Sequence, residues 1–204
     1  MATTPLIGTS GDDRLVGGAD QNISGGDGND VIIGGSGHNI VLSGGAGNDT
    51  IIAGADGDII RDSIGNNTVV GGAGNDNISL GAGNDTVRAG AGSDFIAGGD
   101  GNDNLGGGAG ADLFYYDFSN GQHTGGDKLV DFVADEDKIV LNDYNGQDIT
   151  LRSVADFQDF IHDLLNDSSS TTFARAVGND LAINLEGKSS IMLIGHADWL
   201  NGVT

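Results

Sequence analysis

Short apolar segments recur every nine residues along the first half of the chain, and glycine-rich polar segments separate them. Representative units are GGDGNDVII at 25–33, GGAGNDTII at 44–52 and GGAGNDNIS at 71–79. Five consecutive units between residues 71 and 115 follow one another without a gap. The last three residues of each unit are rich in β-branched side chains, which favour extended backbone. The pattern therefore predicts one short strand per unit, with its central residue facing an apolar core.

Weaker units extend the same register backward and give twelve units between residues 8 and 115. The unit at 17–24 is one residue short, and one extra residue, Ser43, follows the unit at 34–42. The eighth position of the unit is apolar nearly throughout, as expected of the residue that faces the core. Its occupants are Leu15, Ile32, Val41, Ile51, Ile60, Val69, Ile78, Val87, Ile96, Leu105 and Phe114.

Glycine at positions one, two and four predicts a tight turn over the first six residues of each unit, because glycine adopts positive φ without strain. Two turns and two strands make one coil of two units. Stacked coils would form two parallel sheets around a thin apolar core. At about 4.8 Å per coil, six coils would make a rod about 30 Å long. The predicted fold class is all-β, a parallel β-roll followed by a small β-rich cap with one helix.

The nine-residue period ends at Tyr115, so the chain is expected to divide into a roll over residues 1–115 and a capping domain over residues 116–204. Apolar residues at helical spacing predict one amphipathic helix in the second part. Alternating or short apolar runs predict strands there. The expected elements are two strands within 127–141, a helix at 154–165, a loop at 168–170, strands at 173–177, 181–185 and 191–194, and turns at 178–179 and 187–188.

Composition and charge exclude several functional classes. The chain of 204 residues has 38 Gly, one Pro and no Cys, and its 30 acidic residues outnumber 8 basic ones to give a net charge of −22. This charge repels nucleic acids and anionic lipid surfaces. Disulfides and thiolate metal sites are impossible. We find no apolar stretch near the roughly 20 residues that span a bilayer, and the N-terminus lacks the features of a signal peptide.

Much of the negative charge in the repeats falls on the sixth position of the unit. Nine of the twelve units have Asp there, and Asn22, Asn39 and Asn67 are expected at the other three. Stacking would place each Asp beside that of the unit two further on, where unneutralised carboxylates repel by roughly 1–4 kcal/mol. A divalent cation between them would reverse this effect. Calcium is favoured because it accepts six to eight oxygen ligands in flexible geometry. Transition metals prefer His or Cys, and the repeats contain only His38.

The pattern G-G-x-G-x-D-x-U-x resembles the repeat of the RTX, or haemolysin-type calcium-binding, family. The resemblance implies a right-handed parallel β-roll with calcium between successive turns on each edge. It also implies that the sixth-position carboxylates are side-chain ligands, namely Asp13, Asp30, Asp49, Asp58, Asp76, Asp85, Asp94, Asp103 and Asp112. The main-chain ligands implied are the carbonyls of Gly26, Gly28, Gly45, Gly47, Gly72, Gly74, Gly81, Gly83, Gly90, Gly92, Gly99, Gly101, Gly108 and Gly110.

We expect about six Ca²⁺ ions, because a complete site needs Asp in units n and n+2. The six pairs are 13/30, 30/49, 58/76, 76/94, 85/103 and 94/112. The neutral Asn residues would weaken or delete the sites that they join. The alternative is that Asp and Gly serve only turn formation, but turn preference alone does not place Asp at one register in nine of twelve units.

A second resemblance covers about 30 residues after the repeats. The stretch 110–116, followed by Asp127, Asp131-Phe132 and Asp137-Lys138-Ile139, is similar to the segment that closes the roll in serralysin-like proteases and alginate epimerase modules. The likeness implies a cap that covers the open end of the solenoid. Family members also carry an uncleaved C-terminal signal for the type I secretion machinery. Residues 191–204 are similarly acidic and apolar, although Asn-Gly-Val-Thr replaces the family's terminal Asp and apolar triplet.

No catalytic constellation is apparent, so we expect no enzymatic activity. The sequence lacks H-E-x-x-H, G-x-S-x-G and P-loop motifs, and the four His residues are isolated from one another. Asp135-Glu136-Asp137 is expected to be a solvated acidic turn rather than a paired-carboxylate site.

Three functional hypotheses remain. The first is a secreted protein that folds on binding extracellular calcium and acts as a structural or binding module. The second is the C-terminal export module of a larger secreted enzyme, such as a metalloprotease, lipase or alginate epimerase. A reading frame that continues far upstream of Met1 would favour this second hypothesis. The third is a calcium-dependent adhesin or lectin that binds extracellular polysaccharide or a cell surface.

Overall fold

The computed structural model describes residues 4–38, 40–119, 124–144, 147–166, 173–185 and 189–201. Within these ranges nineteen strands, numbered in chain order, form two sheets. The first sheet contains, in spatial order, β1 (Leu6–Ile7), β3 (Ile23–Asp27), β5 (Val41–Ala46), β7 (Ile59–Arg61), β9 (Asn77–Ser79), β11 (Phe95–Ala97), β13 (Leu113–Asp117), β15 (Lys138–Tyr144) and β16 (Gln147–Leu151). The second contains β2 (Arg14–Val16), β4 (Val31–Ile33), β6 (Thr50–Gly54), β8 (Thr68–Ala73), β10 (Thr86–Ala91), β12 (Asn104–Ala109), β14 (Gly125–Leu129), β19 (Ser189–Leu193), β18 (Asp180–Leu185) and β17 (Phe173–Val177).

The chain alternates between the two sheets from β1 to β15, and every pairing among these strands is parallel. Ile60 lies beside Ile78, and Ile78 beside Ile96, so residues two units apart stack in register. Eighth-position residues face inward and are buried along both sheets. Because these side chains form the core between the sheets, the predicted parallel β-roll is confirmed. The buried ones are Leu15, Ile32, Ile51, Ile60, Val69, Ile78, Val87, Ile96, Leu105 and Phe114.

The register predicted for the early units is wrong at two places. Leu42, rather than Val41, stacks between Ile23 and Ile60 and is fully buried, while Val41 is half-buried. Ser43 lies within β5, so the extra residue is accommodated in the preceding turn.

The sixth-position assignments change with this register. Ile40, and not Asn39, precedes β5 in the position that Asp58 has before β7: the Ile40 carbonyl accepts the Ile59 N–H as the Asp58 carbonyl accepts the Asn77 N–H. Asn39 itself lies outside the described residues. In the short unit, Asn22 directly precedes Ile23, so it occupies the seventh position. Its Oδ1 accepts the Val41 N–H at 2.9 Å.

Glycine is required where successive turns stack. Gly90 has a φ of 124°, and a Cβ at this position would overlap the carbonyl oxygen of Gly72 in the preceding coil. The same overlap links Gly108 to Gly90 one coil further on. The turns can therefore approach to the sheet spacing only when this position has no side chain.

The parallel stacking continues past the last repeat. β14 pairs with β12, and β15 with β13. β16 then pairs antiparallel with β15, and β17–β19 extend the second sheet beyond β14. A helix, α1 (Val154–Asn166), and a 3₁₀ helix (Ala197–Leu200) complete the described chain. The strands and helix predicted after residue 115 are thus present, while the loop at 168–170 and the turn at 187–188 lie outside the described residues.

An aromatic cluster fills the core beneath the cap. The ring of Phe132 meets that of Phe157 edge-on at a centroid separation of 5.7 Å and that of Trp199 at 6.2 Å. Phe132 also lies 6.1 Å from Phe114 of the last repeat. The cluster therefore joins α1 and the 3₁₀ helix to the end of the roll. Among the described residues, no helix combines the length and apolar character needed to cross a bilayer.

Candidate metal sites

Residues at the sixth position line up in two rows, one on each edge of the roll. Each row member directly precedes a strand, except Asp127, which lies within β14, and successive members stack coil upon coil. The first row, which precedes the strands of the second sheet, contains Asp13, Asp30, Asp49, Asn67, Asp85, Asp103 and Asp127. The second row, which precedes the strands of the first sheet, contains Asp58, Asp76, Asp94, Asp112 and Asp137.

One side-chain oxygen of each row member after the first, Asp13 or Asp58, links it to the preceding coil. The backbone N–H of Asp76 donates to Asp94 Oδ1 at 2.7 Å, and that of Asp94 donates to Asp112 Oδ1 at 2.9 Å. The same bond recurs along both rows with lengths of 2.7–2.9 Å. This ladder sets the spacing of the carboxylates, because each one is hydrogen-bonded to the backbone of its neighbour in the row.

The second oxygen of most repeat carboxylates has no hydrogen-bond partner. Burying a charged oxygen without a partner is strongly unfavourable, so these atoms call for a cation or a proton. Such Oδ2 atoms belong to Asp30, Asp49, Asp58, Asp76, Asp85, Asp94 and Asp112.

Main-chain oxygens lie close to these atoms. A Cβ built on Gly25 would overlap Asp30 Oδ2 of its own unit, and it would also meet the carbonyl oxygen of Gly44 from the next coil. Gly71 is related in the same way to Asp76 Oδ2 and the carbonyl oxygen of Ala89. The side-chain and main-chain oxygens therefore share the space over the first-position glycine. These first-position carbonyls were not among the ligands expected from the sequence.

The buried carboxylates hold protons more tightly than exposed ones. The pKa of Asp76 is raised from 3.8 to about 7, chiefly by burial and to a smaller extent by the neighbouring Asp94 and Asp58 charges, against a backbone hydrogen bond that lowers it. Burial likewise raises the pKa values of Asp58, Asp85 and Asp112 to about 6. The rows are therefore places where negative charge is unfavourable unless a positive charge accompanies it.

The oxygen atoms in the rows fit calcium. Among the described residues, no three His, Cys, Asp or Glu side chains form a ready-made metal centre. A cation bound between coils would take one or two carboxylates and complete its shell with main-chain carbonyls. All-oxygen sites of this kind suit calcium, whereas zinc and copper prefer nitrogen and sulfur ligands.

Comparison with known proteins identifies the repeats. A family model described as RTX calcium-binding nonapeptide repeat (4 copies) matches residues 7–41, 41–61, 52–87, 61–96 and 80–114, which together cover more than half of the chain. The chain belongs to the RTX calcium-binding repeat family. The RTX roll is therefore a calcium-binding β-roll.

The other comparisons add little. The extracellular lipase LipA of Serratia marcescens is similar to this RTX chain at 19% sequence identity with a TM-score of 0.31. The match covers 96% of this chain and 38% of the lipase chain. None of the curated proteins compared by sequence matches the chain.

The structure brings together the two Asp residues of each pair expected from the sequence. All six pairs, 13/30, 30/49, 58/76, 76/94, 85/103 and 94/112, are joined by the ladder hydrogen bond.

Nearly all of the glycines expected to supply carbonyls have positive φ, Gly81 being the exception. The carbonyl of Gly45 accepts the Ser63 hydroxyl. Calcium ligation by these individual residues, and the count of about six ions, stay predictions.

Two aspartates of the cap extend the rows, and the sequence reasoning missed them. Asp127 Oδ1 accepts the Asp103 N–H, and Asp137 Oδ1 accepts the Asp112 N–H, each at 2.9 Å. Asp137 is only 3% exposed, so it does not belong to a solvated acidic turn. The sequence did contain a signal for these two row members. Asp127-Lys128-Leu129 and Asp137-Lys138-Ile139 have Asp, a variable residue and an apolar residue in succession, as positions six to eight of the repeat unit do.

A second ladder at the fifth position needs no cation. Asn48 donates its backbone N–H to Asn29 Oδ1 at 2.8 Å, and Asn66 donates to Asn48 Oδ1 at 2.7 Å. The series runs from Asp12 through Asn84 and Asn102 to the N–H of Gly126. Its bonds point along the chain in the direction opposite to those of the aspartate ladder. On this edge each coil therefore both donates a backbone N–H to the next coil and accepts one from it. The Asn residues at the fifth position of the units were the sequence feature that could have predicted this second ladder.

Proposed function

We propose that this chain is a secreted protein that folds when its RTX repeats bind extracellular calcium, and that it acts as a structural or binding module with no catalytic activity of its own. The observation that carries the proposal is the stacking of buried carboxylate oxygens without partners along both edges of the roll. A fold of this kind is incomplete without cations.

The energetics support a switch between an unfolded and a folded chain. Stacked carboxylates repel one another, and ordering many glycines costs more backbone entropy than ordering other residues. At the low calcium concentration of a cytosol these costs favour the unfolded chain. Outside the cell, sites with dissociation constants of about 10⁻⁴–10⁻³ M would fill. Because the unfolded chain has no preformed site, the free energy of binding becomes free energy of folding.

Circular dichroism and size-exclusion chromatography of the full chain test this function. In EDTA we expect a coil spectrum and an expanded chain, and in millimolar CaCl₂ a β spectrum and a compact one. MgCl₂ at the same concentration is the matched control. It should be less effective, because magnesium requires a near-ideal octahedron and releases its water reluctantly. A β spectrum of full amplitude in EDTA would contradict the proposal.

Export by a type I secretion system follows from the same reasoning, because a chain that stays unfolded in the cytosol can pass through a channel. Cells that express the full chain with and without a type I exporter would test this. We expect the protein in the medium only when the exporter is present. Equal release in both strains would argue against this route.

An open groove on the outer face of the first sheet favours polysaccharide binding as a second candidate function. The groove has a volume of about 450 Å³, and its lining includes Phe95, Tyr115 and Asp100. The two aromatic rings lie 5.4 Å apart and are half-buried. Aromatic faces with a few polar groups are typical of small-ligand sites. Glycan-array binding that requires calcium and is lost in Phe95→Ala, but not in Val177→Ala on another strand, would support this function.

A further inference from the structure

Asp62 occupies a first position that glycine fills in most units of the same edge, such as Gly44 and Gly98, and that Leu80 fills in the next coil. Its Oδ1 accepts the N–H of Ser63 at 2.6 Å. Its Oδ2 is buried and has no hydrogen-bond partner. The repeat motif does not include an acidic residue here, so the sequence gives no reason to count Asp62 among the ligands.

The unpartnered oxygen of Asp62 faces that of Asp49. A Cβ built on Gly44 would overlap both Asp62 Oδ2 and Asp49 Oδ2, so the two oxygens share one small space over this glycine. Asp49 is only 1% exposed, and its Oδ2 also lacks a partner. At Gly25 in the preceding coil, the same space holds one carboxylate oxygen and one carbonyl oxygen.

The next member of the first row explains why a second carboxylate is needed here. Asn67 stands where the row otherwise has Asp, and its side chain is fully engaged within the protein. Its Oδ1 accepts the Asp49 N–H at 2.9 Å, and its Nδ2 donates to the Gly65 carbonyl at 3.1 Å. Asn67 therefore continues the hydrogen-bond ladder but brings no negative charge to the site.

We propose that Asp49 and Asp62 together bind one calcium ion over Gly44, with Asp62 supplying the carboxylate that Asn67 does not. This inference rests on the proposed function, because it assumes that the rows bind calcium. It adds a ligand from outside the repeat motif and a site beyond the six Asp pairs expected from the sequence. The competing arrangement is a proton shared between the two carboxyl groups.

Calcium titration calorimetry of the full chain tests the site. Asp62→Asn removes the charge and keeps the shape, and Asp27→Asn is the matched control. Asp27 is an exposed aspartate of the same roll, and its loss changes the net charge equally. We expect Asp62→Asn to bind one calcium fewer than the control, or to bind it at least about tenfold more weakly, since carboxylate count sets the affinity of such sites. Equal stoichiometry and affinity in the two variants would overturn the proposal and favour the shared proton.

A second variant covers the case in which Asp62→Asn folds poorly. In Asp62→Asn/Asn67→Asp the carboxylate moves from the first position to the sixth position of the same unit. We expect it to recover the lost calcium equivalent, and failure to recover it would count against the proposal. Anomalous scattering from crystals grown with calcium would locate the ion, and a peak within ligand distance of both carboxylates is expected. If the natural chain binds no calcium, the proposed function itself fails, which is a separate result.

Discussion

Most buried aspartates of the rows have two separable functions at the scale of the residue. One oxygen accepts a backbone N–H of the neighbouring coil, as Asp94 Oδ1 does from Asp76, and the other carries charge into a buried space. Asn67 shows the first function without the second, since its Oδ1 still accepts the Asp49 N–H. Amide and carboxylate are therefore equivalent for the ladder and different for a cation.

Substitutions of Asp94 should separate these functions. Asp94→Asn keeps the ladder bond and removes a buried charge, so it should be less stable than the natural chain in saturating calcium and should lose less stability as calcium is lowered. Asp94→Ala also leaves the Asp76 N–H without its acceptor, which costs about 1–3 kcal/mol at either calcium concentration. Urea unfolding in saturating calcium, and at the lowest calcium concentration that folds all three chains, measures both effects. If the Asn and Ala variants behaved alike at both concentrations, the ladder bond would contribute nothing.

Gly90→Ala should strongly destabilise the roll. The substitution adds the strain of positive φ, roughly 1–2 kcal/mol, to the overlap of the new Cβ with the Gly72 carbonyl. Gly178→Ala is the matched control, because Gly178 also has positive φ but open space around its Cβ position. We expect a larger loss of unfolding free energy in Gly90→Ala by thermal melts in calcium. Equal losses would mean that close stacking does not require glycine.

Most members of the two aspartate rows could be predicted from the sequence because their register repeats. The sixth-position aspartates and eighth-position apolar residues follow from the period alone. The positions of Ile40 and Leu42 could not be predicted in this way, because a one-residue insertion can lie before or after a strand. The pairing of Leu42 with Ile60 shows that the insertion lies before β5. Asp62 was missed because its role depends on which residue lies beside Gly44 in the next coil. The nine-residue motif predicts the roll, but it does not say which residues outside the motif come into contact between coils.

At the scale of the element, the cap strands β14 and β15 continue the roll rather than merely covering it. Their spacing from the last repeats is irregular, with 24 residues from Asp103 to Asp127 and 25 from Asp112 to Asp137. Both intervals exceed the 18 residues between row members in the later repeats, but the ladder bond is the same. Asp137 uses both oxygens on protein donors, since its Oδ2 accepts the Val133 N–H at 2.8 Å. Asp137 is therefore the last member of its row, and both of its oxygens are satisfied by hydrogen bonds to the protein.

Asp137→Ala should therefore destabilise the protein by the same amount in saturating calcium and at the lowest calcium concentration that folds the chain. Two backbone N–H groups, those of Asp112 and Val133, lose their acceptor, at a cost of about 1–3 kcal/mol each if they stay buried. Asp135→Asn is the control, because Asp135 is exposed and Asn tolerates its positive φ of 67°. Chemical unfolding at both calcium concentrations provides the comparison. A loss that grows with calcium concentration would instead make Asp137 a metal ligand.

At the scale of the whole molecule, the 30 acidic residues behind the charge of −22 are divided evenly, with 15 before residue 116 and 15 after it. Nine of the first group lie at the sixth position, where burial raises several pKa values, as for Asp85 to about 6. Much of the negative charge of the repeats is thus concentrated in two buried rows, which Asp127 and Asp137 extend into the cap. The balance of protons and cations in these rows governs the stability of the roll.

The dependence of stability on pH should have opposite signs with and without calcium. The folded-state pKa values of Asp58, Asp76 and Asp112, about 6, 7 and 6, exceed the 3.8 of an unperturbed carboxyl. Protons then favour the folded chain, so the calcium-free roll should be most stable below about pH 4 and lose stability as pH rises through 6–7. Calcium must displace those protons, so its affinity should fall when pH is lowered through the same range.

Circular dichroism of calcium-depleted protein from pH 3.5 to 8, and calcium titrations at pH 5 and 7.5, measure these two trends. A calcium-free chain that becomes more stable as pH rises would show that the rows do not retain protons.

The ladder bond also has a consequence for the size of the molecule. From Asp49 to Asp103 the first row repeats with a constant interval of 18 residues and the same hydrogen bond at each step. No step depends on how many others precede it, so packing within the roll does not select a particular length. Duplication of residues 71–88 would add one coil and about 4.8 Å while leaving the cap contacts intact. Length is then a variable that tandem duplication can change in increments of one coil.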